Sequence, residues 1–128
     1  MKRNKLSLTT LLLVTASLAP NSFSKIGELQ TYTSHDGKLE NVLNRFENHT
    51  LALFEKHGIR NIGHWVPEDQ DNTLIYIVAH ESRDRAKHSW KNFVSEPKWK
   101  AARKASVADG PIVNKIESLY INKTSFSP

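Results

Sequence analysis

The chain has 128 residues, with 18 Lys and Arg against 13 Asp and Glu, a formal charge of +5, and no cysteine. Lacking cysteine, it has no disulfide framework, no thiolate nucleophile and no zinc-finger spacing, so its stability does not rely on an oxidising compartment. Its length is that of one domain with one hydrophobic core.

The first element is a leader. Lys2, Arg3 and Lys5 precede an uncharged, mostly apolar run from Leu6 to Ala19, shorter than the roughly 20 residues a helix needs to span a bilayer. A basic start, a short apolar core and small residues after it predict a secretory signal peptide over residues 1–24. Pro20 disfavours a cut after Ala19, whereas "SFS", ending at Ser24, supplies small residues at both required places. The mature domain is therefore expected over residues 25–128, periplasmic or secreted, with no stable membrane insertion after cleavage. No cysteine follows the apolar core, which excludes a lipid anchor there. The leader holds three bases and no acid, so the rest of the chain carries only +2. A mixed-sign surface of that charge is no nucleic-acid footprint. "KWKAARK", residues 98–104, is the one basic cluster and reads as the solvated side of a helix. The sequons at Asn48 and Asn122 matter only in a host that glycosylates them.

"IGELQTYTS" predicts a first strand near residues 26–33, and "HDGK" a turn. From Lys38, Leu39, Val42, Leu43, Phe46, Leu53 and Phe54 recur at three- and four-residue steps, an amphipathic helix ending at Gly58, where a left-handed cap is free of steric cost. "NIGHWV" is a short second strand and "PEDQDN" a polar turn. "TLIYIVAH", residues 73–80, is a third strand. Ser82 is suited to N-cap a second helix, with Asp84 in its first turn. Pro97 breaks that helix, and residues 98–106 make a further short one. "IVNKIESLYI" supplies the last strand. The order β-α-β-β-α-β predicts an α+β, ferredoxin-like fold: a four-stranded antiparallel sheet, the first and third strands central, the helices on one face. Leu74, Tyr76 and Val78 then point one way and Ile75, Ile77 and Ala79 the other, so the third strand is apolar on both faces. Helices cover only one of them. A monomer rarely leaves several hundred Å² of apolar surface bare, so a homodimer joined sheet to sheet is expected.

"ELQTYTSHDGKLENVLNRF", "FEKHGIRNIGHW", "TLIYIVAHESRDRAKHSWKNF" and "KWKAARKAS…GPIVNKIESLYI" together resemble a NIPSNAP domain, over residues 26–128. The resemblance implies a dimeric α+β barrel and implies no particular reaction. Gly27 and Gln30 depart from the usual "YELRTY" opening, where an aromatic and an arginine are typical. Related barrels include haem-degrading and cofactor-free monooxygenases, a fold-level analogy only.

Three of six histidines crowd into residues 49–64. His49, three after Phe46 and four before Leu53, is expected to face the sheet. His57 reads as a capping residue in the last helical turn, and His64 as a pocket or edge-strand residue. His49 and His57 lie about 12 Å apart along a helix, too far to share a zinc at about 2.0 Å from each nitrogen. No HxH, HxxxH or HExxH spacing occurs, so no metal site is expected. Haem needs one axial histidine and is not singled out by any spacing; no cofactor is expected. No serine has a nucleophile-elbow context and no glycine loop cradles phosphate, which leaves the catalytic residues unassigned. Glu28, Gln30 and Tyr32 share one face of the first strand. With Tyr76 on the neighbouring strand, His49, His64 and Trp65, they form the candidate lining of a pocket. Trp90, Phe93 and Trp99 follow helical spacing and read as core. The resulting expectation is an exported dimer that binds a small, largely apolar molecule between sheet and helices. The alternatives are a cofactor-free monooxygenase or isomerase on the same scaffold, or a protein-interaction module.

Overall fold

The computed structural model describes residues 26–128; the expected signal peptide, residues 1–24, lies outside them. The elements are β1 (Ile26–Ser34), α1 (Leu39–Arg45), a π-helical turn (Phe46–Thr50), α2 (Leu51–Lys56), β2 (Arg60–Trp65), β3 (Thr73–His80), α3 (Arg83–Ser95), α4 (Pro97–Ser106) and β4 (Val113–Ile121). They form one antiparallel sheet in the order β2-β3-β1-β4, with β1 and β3 central, the ferredoxin-like arrangement that the element order predicts.

Local chemistry sets the boundaries. Gly58 takes φ +76°, which a side chain would strain, and the amide of Ile59 closes back on the Phe54 carbonyl at 2.9 Å, ending α2. The Ser82 hydroxyl accepts from the Arg85 amide at 3.1 Å and starts α3. Pro97 occupies the first turn of α4, where its missing N–H costs nothing.

Register assigns the two faces. Glu28 pairs with Val78, Gln30 with Tyr76 and Tyr32 with Leu74, and on the outer side Ser118 pairs with Gln30 and His64 with Tyr76. That set lies under the helices. Val42, Phe46, Phe54, Leu74, Tyr76, Val78 and Phe93 make the core there, with rings edge-on at 4.9 Å (Phe54–Phe93) and tilted at 5.1 Å (Phe46–Tyr76). The opposite face carries Leu29, Ile75 and Ile77, each half-buried, with Trp65 and Leu119 at its flanks 53% and 60% exposed. No helix covers it among the described residues.

One expectation fails at the π-helical turn. His49 does not face the sheet; it is exposed. Bonding from i to i+5 turns the chain through a smaller angle per residue than an α-helix does. Three steps from Phe46 therefore fall short of a full turn, leaving His49 in solvent. Thr50, one step further, completes it and is buried, its hydroxyl on the Arg45 carbonyl at 3.3 Å.

Candidate functional site

α3 and α4 pack against β1 and β4 without filling the space between them. A cavity of about 380 Å³ remains, within the size range of small-ligand sites. Its floor is Glu28, Gln30 and Tyr32 from β1 with Ser118 and Ile116 from β4; its walls are Trp90, Phe93, Val94, Trp99 and Arg103 from α3 and α4. The aromatic residues expected in the core thus also wall the cavity, because each spans the sheet-facing side of its helix. Arg103, from the cluster expected to be a solvated face, reaches its edge.

The floor is polar and fully engaged. The Trp90 indole N–H donates to Glu28 Oε1 at 2.8 Å, and His80 Nε2 donates to the same oxygen at 2.9 Å. Gln30 Nε2 donates to Glu28 Oε2, and Ser118 Oγ donates to Gln30 Oε1 at 2.6 Å. Glu28 and His80 are both almost wholly buried. Burial pushes the Glu28 carboxyl up. The hydrogen bonds from His80, Trp90 and Gln30, with the electrostatic attraction of His80, outweigh it and hold the group below the usual carboxylate range. The floor therefore holds an ionised carboxylate between aromatic walls. A carboxylate accepts and cannot donate, so His80 Nε2 carries a proton; Nδ1 has no partner. At the β4 edge the Arg83 guanidinium stacks 3.8 Å from the Tyr120 ring centre.

Of the residues expected to line a pocket, Glu28, Gln30 and Tyr32 do so. The other four stand elsewhere. Tyr76 is wholly buried in the core beside Tyr32, their ring centres 5.3 Å apart, and burial pushes its hydroxyl well above the usual phenol range. His64 stacks on Tyr76 at 5.4 Å and meets Phe46, outside the cavity lining; burial alone lowers its pKa and leaves Nε2 without a partner. Trp65 lies on the open face, because strand alternation sends it away from His64. Its ring crosses Gly63, so a side chain there would have to push the ring aside. His49 borders a separate polar recess beside Arg45 and Ser106. His57 sits at the end of α2 as expected, with an unexpected partner, Glu96 Oε2, at 2.9 Å. Among the described residues no group of three or more His, Cys, Asp or Glu is placed to hold a metal, and no helix is long and apolar enough to cross a membrane.

A ferredoxin-like sheet with an aromatic-walled cleft between helices and β1–β4 defines the class: a small α+β domain with an open, ligand-sized cleft. Residues 27–128 match the NIPSNAP family model, and the chain belongs to that family. A NIPSNAP domain protein of Burkholderia xenovorans is 19% identical, with TM-score 0.69, over 80% of this chain and 98% of that one. A NIPSNAP family protein of Agrobacterium tumefaciens is 20% identical, with TM-score 0.70, over 80% and 91%. SnoaB, a cofactor-independent oxygenase of Streptomyces nogalater, is 17% identical, with TM-score 0.56, over 80% and 96%. At these identities the likeness is one of fold. No curated protein matches the sequence.

Proposed function

We propose that this NIPSNAP domain is an exported dimer that binds a small, largely apolar molecule in the cleft between α3–α4 and β1–β4. The observation that carries the reading is the cavity itself: apolar and aromatic walls, ligand-sized, over a few convergent polar groups. The dimer rests on the open face, where Leu29, Ile75, Ile77 and Leu119 form an apolar surface uncovered by any described helix. Export rests on the leader, and N-terminal sequencing of protein from the native host tests it: a chain starting at Met1 in a cytoplasmic fraction overturns it.

The fluorescent probe N-phenyl-1-naphthylamine tests the cleft. Its emission should rise saturably with one site per chain. Ser118→Trp, which fills the cavity from β4 and leaves the open face intact, should abolish the rise. Saturable binding that survives Ser118→Trp would place the probe elsewhere and defeat the reading.

A second reading is a cofactor-free monooxygenase or isomerase in which Glu28, the carboxylate that lines the cavity, takes a proton from the bound molecule, against a lowered pKa and three hydrogen bonds that make it a weak base. Glu28→Gln separates the two. A binding protein keeps its affinity for the neutral probe, and an enzyme in addition loses turnover of whatever molecule co-purifies with it.

A further inference from the structure

The cavity over Glu28 adjoins a second recess of about 370 Å³; the two share Tyr32, Trp99, Arg103 and Ile116. No Asp or Glu lines this recess, and two arginines do, Arg45 and Arg103. Arg45, at the end of α1, is 7% exposed. Its Nη1 donates to Ser106 Oγ at 3.1 Å, its guanidinium carbon lies 5.0 Å from the Trp99 ring centre, and its Nε has no partner.

Among the described residues no carboxylate pairs with Arg45: the ion pairs join Glu96 to Lys56 and His57, Glu28 to His80, and Glu117 to Lys115. Lys115, the other cation on the recess, is therefore already answered at 3.2 Å. A largely buried guanidinium without a counter-charge is costly to keep. A hydroxyl and an aromatic face return only part of that cost. Burial lowers the pKa of Arg45, and the like charge of Arg103 adds to the lowering against the opposing effect of Tyr32. The recess holds a surplus of positive charge that the described residues do not neutralise.

We infer that Arg45 and Arg103 hold the carboxylate of an organic acid whose apolar body runs past Trp99 and Ile116 into the cavity above Glu28. A guanidinium presents parallel N–H donors to a planar carboxylate. Glu28 fixes the orientation, since its own negative charge repels an anion from the far end. The inference rests on the cleft being a small-molecule site and adds the chemical class of the molecule and the direction in which it lies.

Titration calorimetry of the intact protein with 1-naphthylacetate and 1-naphthylacetamide tests it, because the two share rings and shape and differ in charge. The acid should bind at least about tenfold more tightly, the worth of one charge-assisted hydrogen bond. Added salt should weaken the acid and leave the amide unchanged. Arg103→Gln, at an exposed position that does not threaten folding, should reduce the acid's advantage. Arg103→Gln with Arg45→Gln, checked for folding by circular dichroism, should erase it while sparing the amide. If the two compounds bind alike and both displace N-phenyl-1-naphthylamine, the cleft reading stands and the carboxylate inference falls. If neither binds nor displaces the probe, both fall.

Discussion

Replacing Glu28 by glutamine keeps the volume of the side chain and removes its charge, and the geometry sets the cost. The wild-type carboxylate accepts from His80 and Trp90 at Oε1 and from Gln30 at Oε2. A glutamine still accepts from His80 and Trp90 through its carbonyl, but its amide then meets the amide of Gln30, donor against donor. Two charge-assisted hydrogen bonds become neutral ones, each weaker by about 1 kcal/mol, and the third is lost or forces Gln30 to flip against Ser118, at about 1 kcal/mol more. Not having to bury a charge returns part of this. The expected net loss is about 2 kcal/mol, or a Tm lower by roughly 10 °C in a domain of this size. The pH dependence has a definite sign. The folded-state pKa of Glu28 lies below the ordinary 4.5, so its contribution is complete above that pH and drains away as pH falls through the folded value. Urea unfolding followed by tryptophan fluorescence, at neutral pH and again below 4.5, measures the gap between wild type and Glu28→Gln. It should be wide at neutral pH and narrow in acid. Equal stability at neutral pH, or a gap indifferent to pH, would refute the assignment of Glu28 as the charged centre of the network.

His49→Ala should change unfolding free energy by no more than about 0.5 kcal/mol, as at other exposed positions; a loss above 1 kcal/mol in a denaturant titration would return His49 to the core. Ile77→Asp should leave a folded monomer by light scattering and circular dichroism, because Ile77 faces the open side. Tyr76→Asp should unfold the chain, at a cost above about 4 kcal/mol, because it puts a charge into the wholly buried core; the opposite pattern would exchange the two faces. Gly63→Ala drives a methyl into the far end of the Trp65 ring. That ring is half exposed and able to swing away, so its emission should shift while stability drops by less than about 1 kcal/mol; unchanged emission would mean that the ring does not rest there.

Much of the fold is legible because its signals are local. Strand alternation puts Glu28, Gln30 and Tyr32 on one face whatever else the chain does, and all three do line the cavity. Ser82, Gly58 and Pro97 mark helix ends by their own stereochemistry. What the sequence hides depends on contacts made across it. The partners of the floor, His80 and Trp90 for Glu28 and Ser118 for Gln30, lie 52, 62 and 88 residues further on, and only register brings them together. His49 fails for a different reason. A π-helical turn differs from an α-helical one by a single bond step, and helical periodicity alone does not announce it.

Arg45 sits next to that turn, but what hides it in the sequence is again a contact made across the chain. Between Asn44 and Phe46 it looks like part of a solvated helix face, and only α4, folding over it with Trp99 and Ser106, removes it from water. The cleft thus has a buried carboxylate at one end and a buried guanidinium at the other, too well separated to be one ion pair and each held by a different set of neighbours. Glu28 is answered by His80, Trp90 and Gln30; among the described residues no carboxylate answers Arg45. A domain with no cysteine and a single modest core has little stability to spare for an unanswered internal charge. An apolar residue at position 45 would pack against Trp99 at no such penalty. The asymmetry between the two charges therefore has a direction: the satisfied carboxylate belongs to the architecture of the floor, and the unsatisfied guanidinium is the group that waits for something from outside.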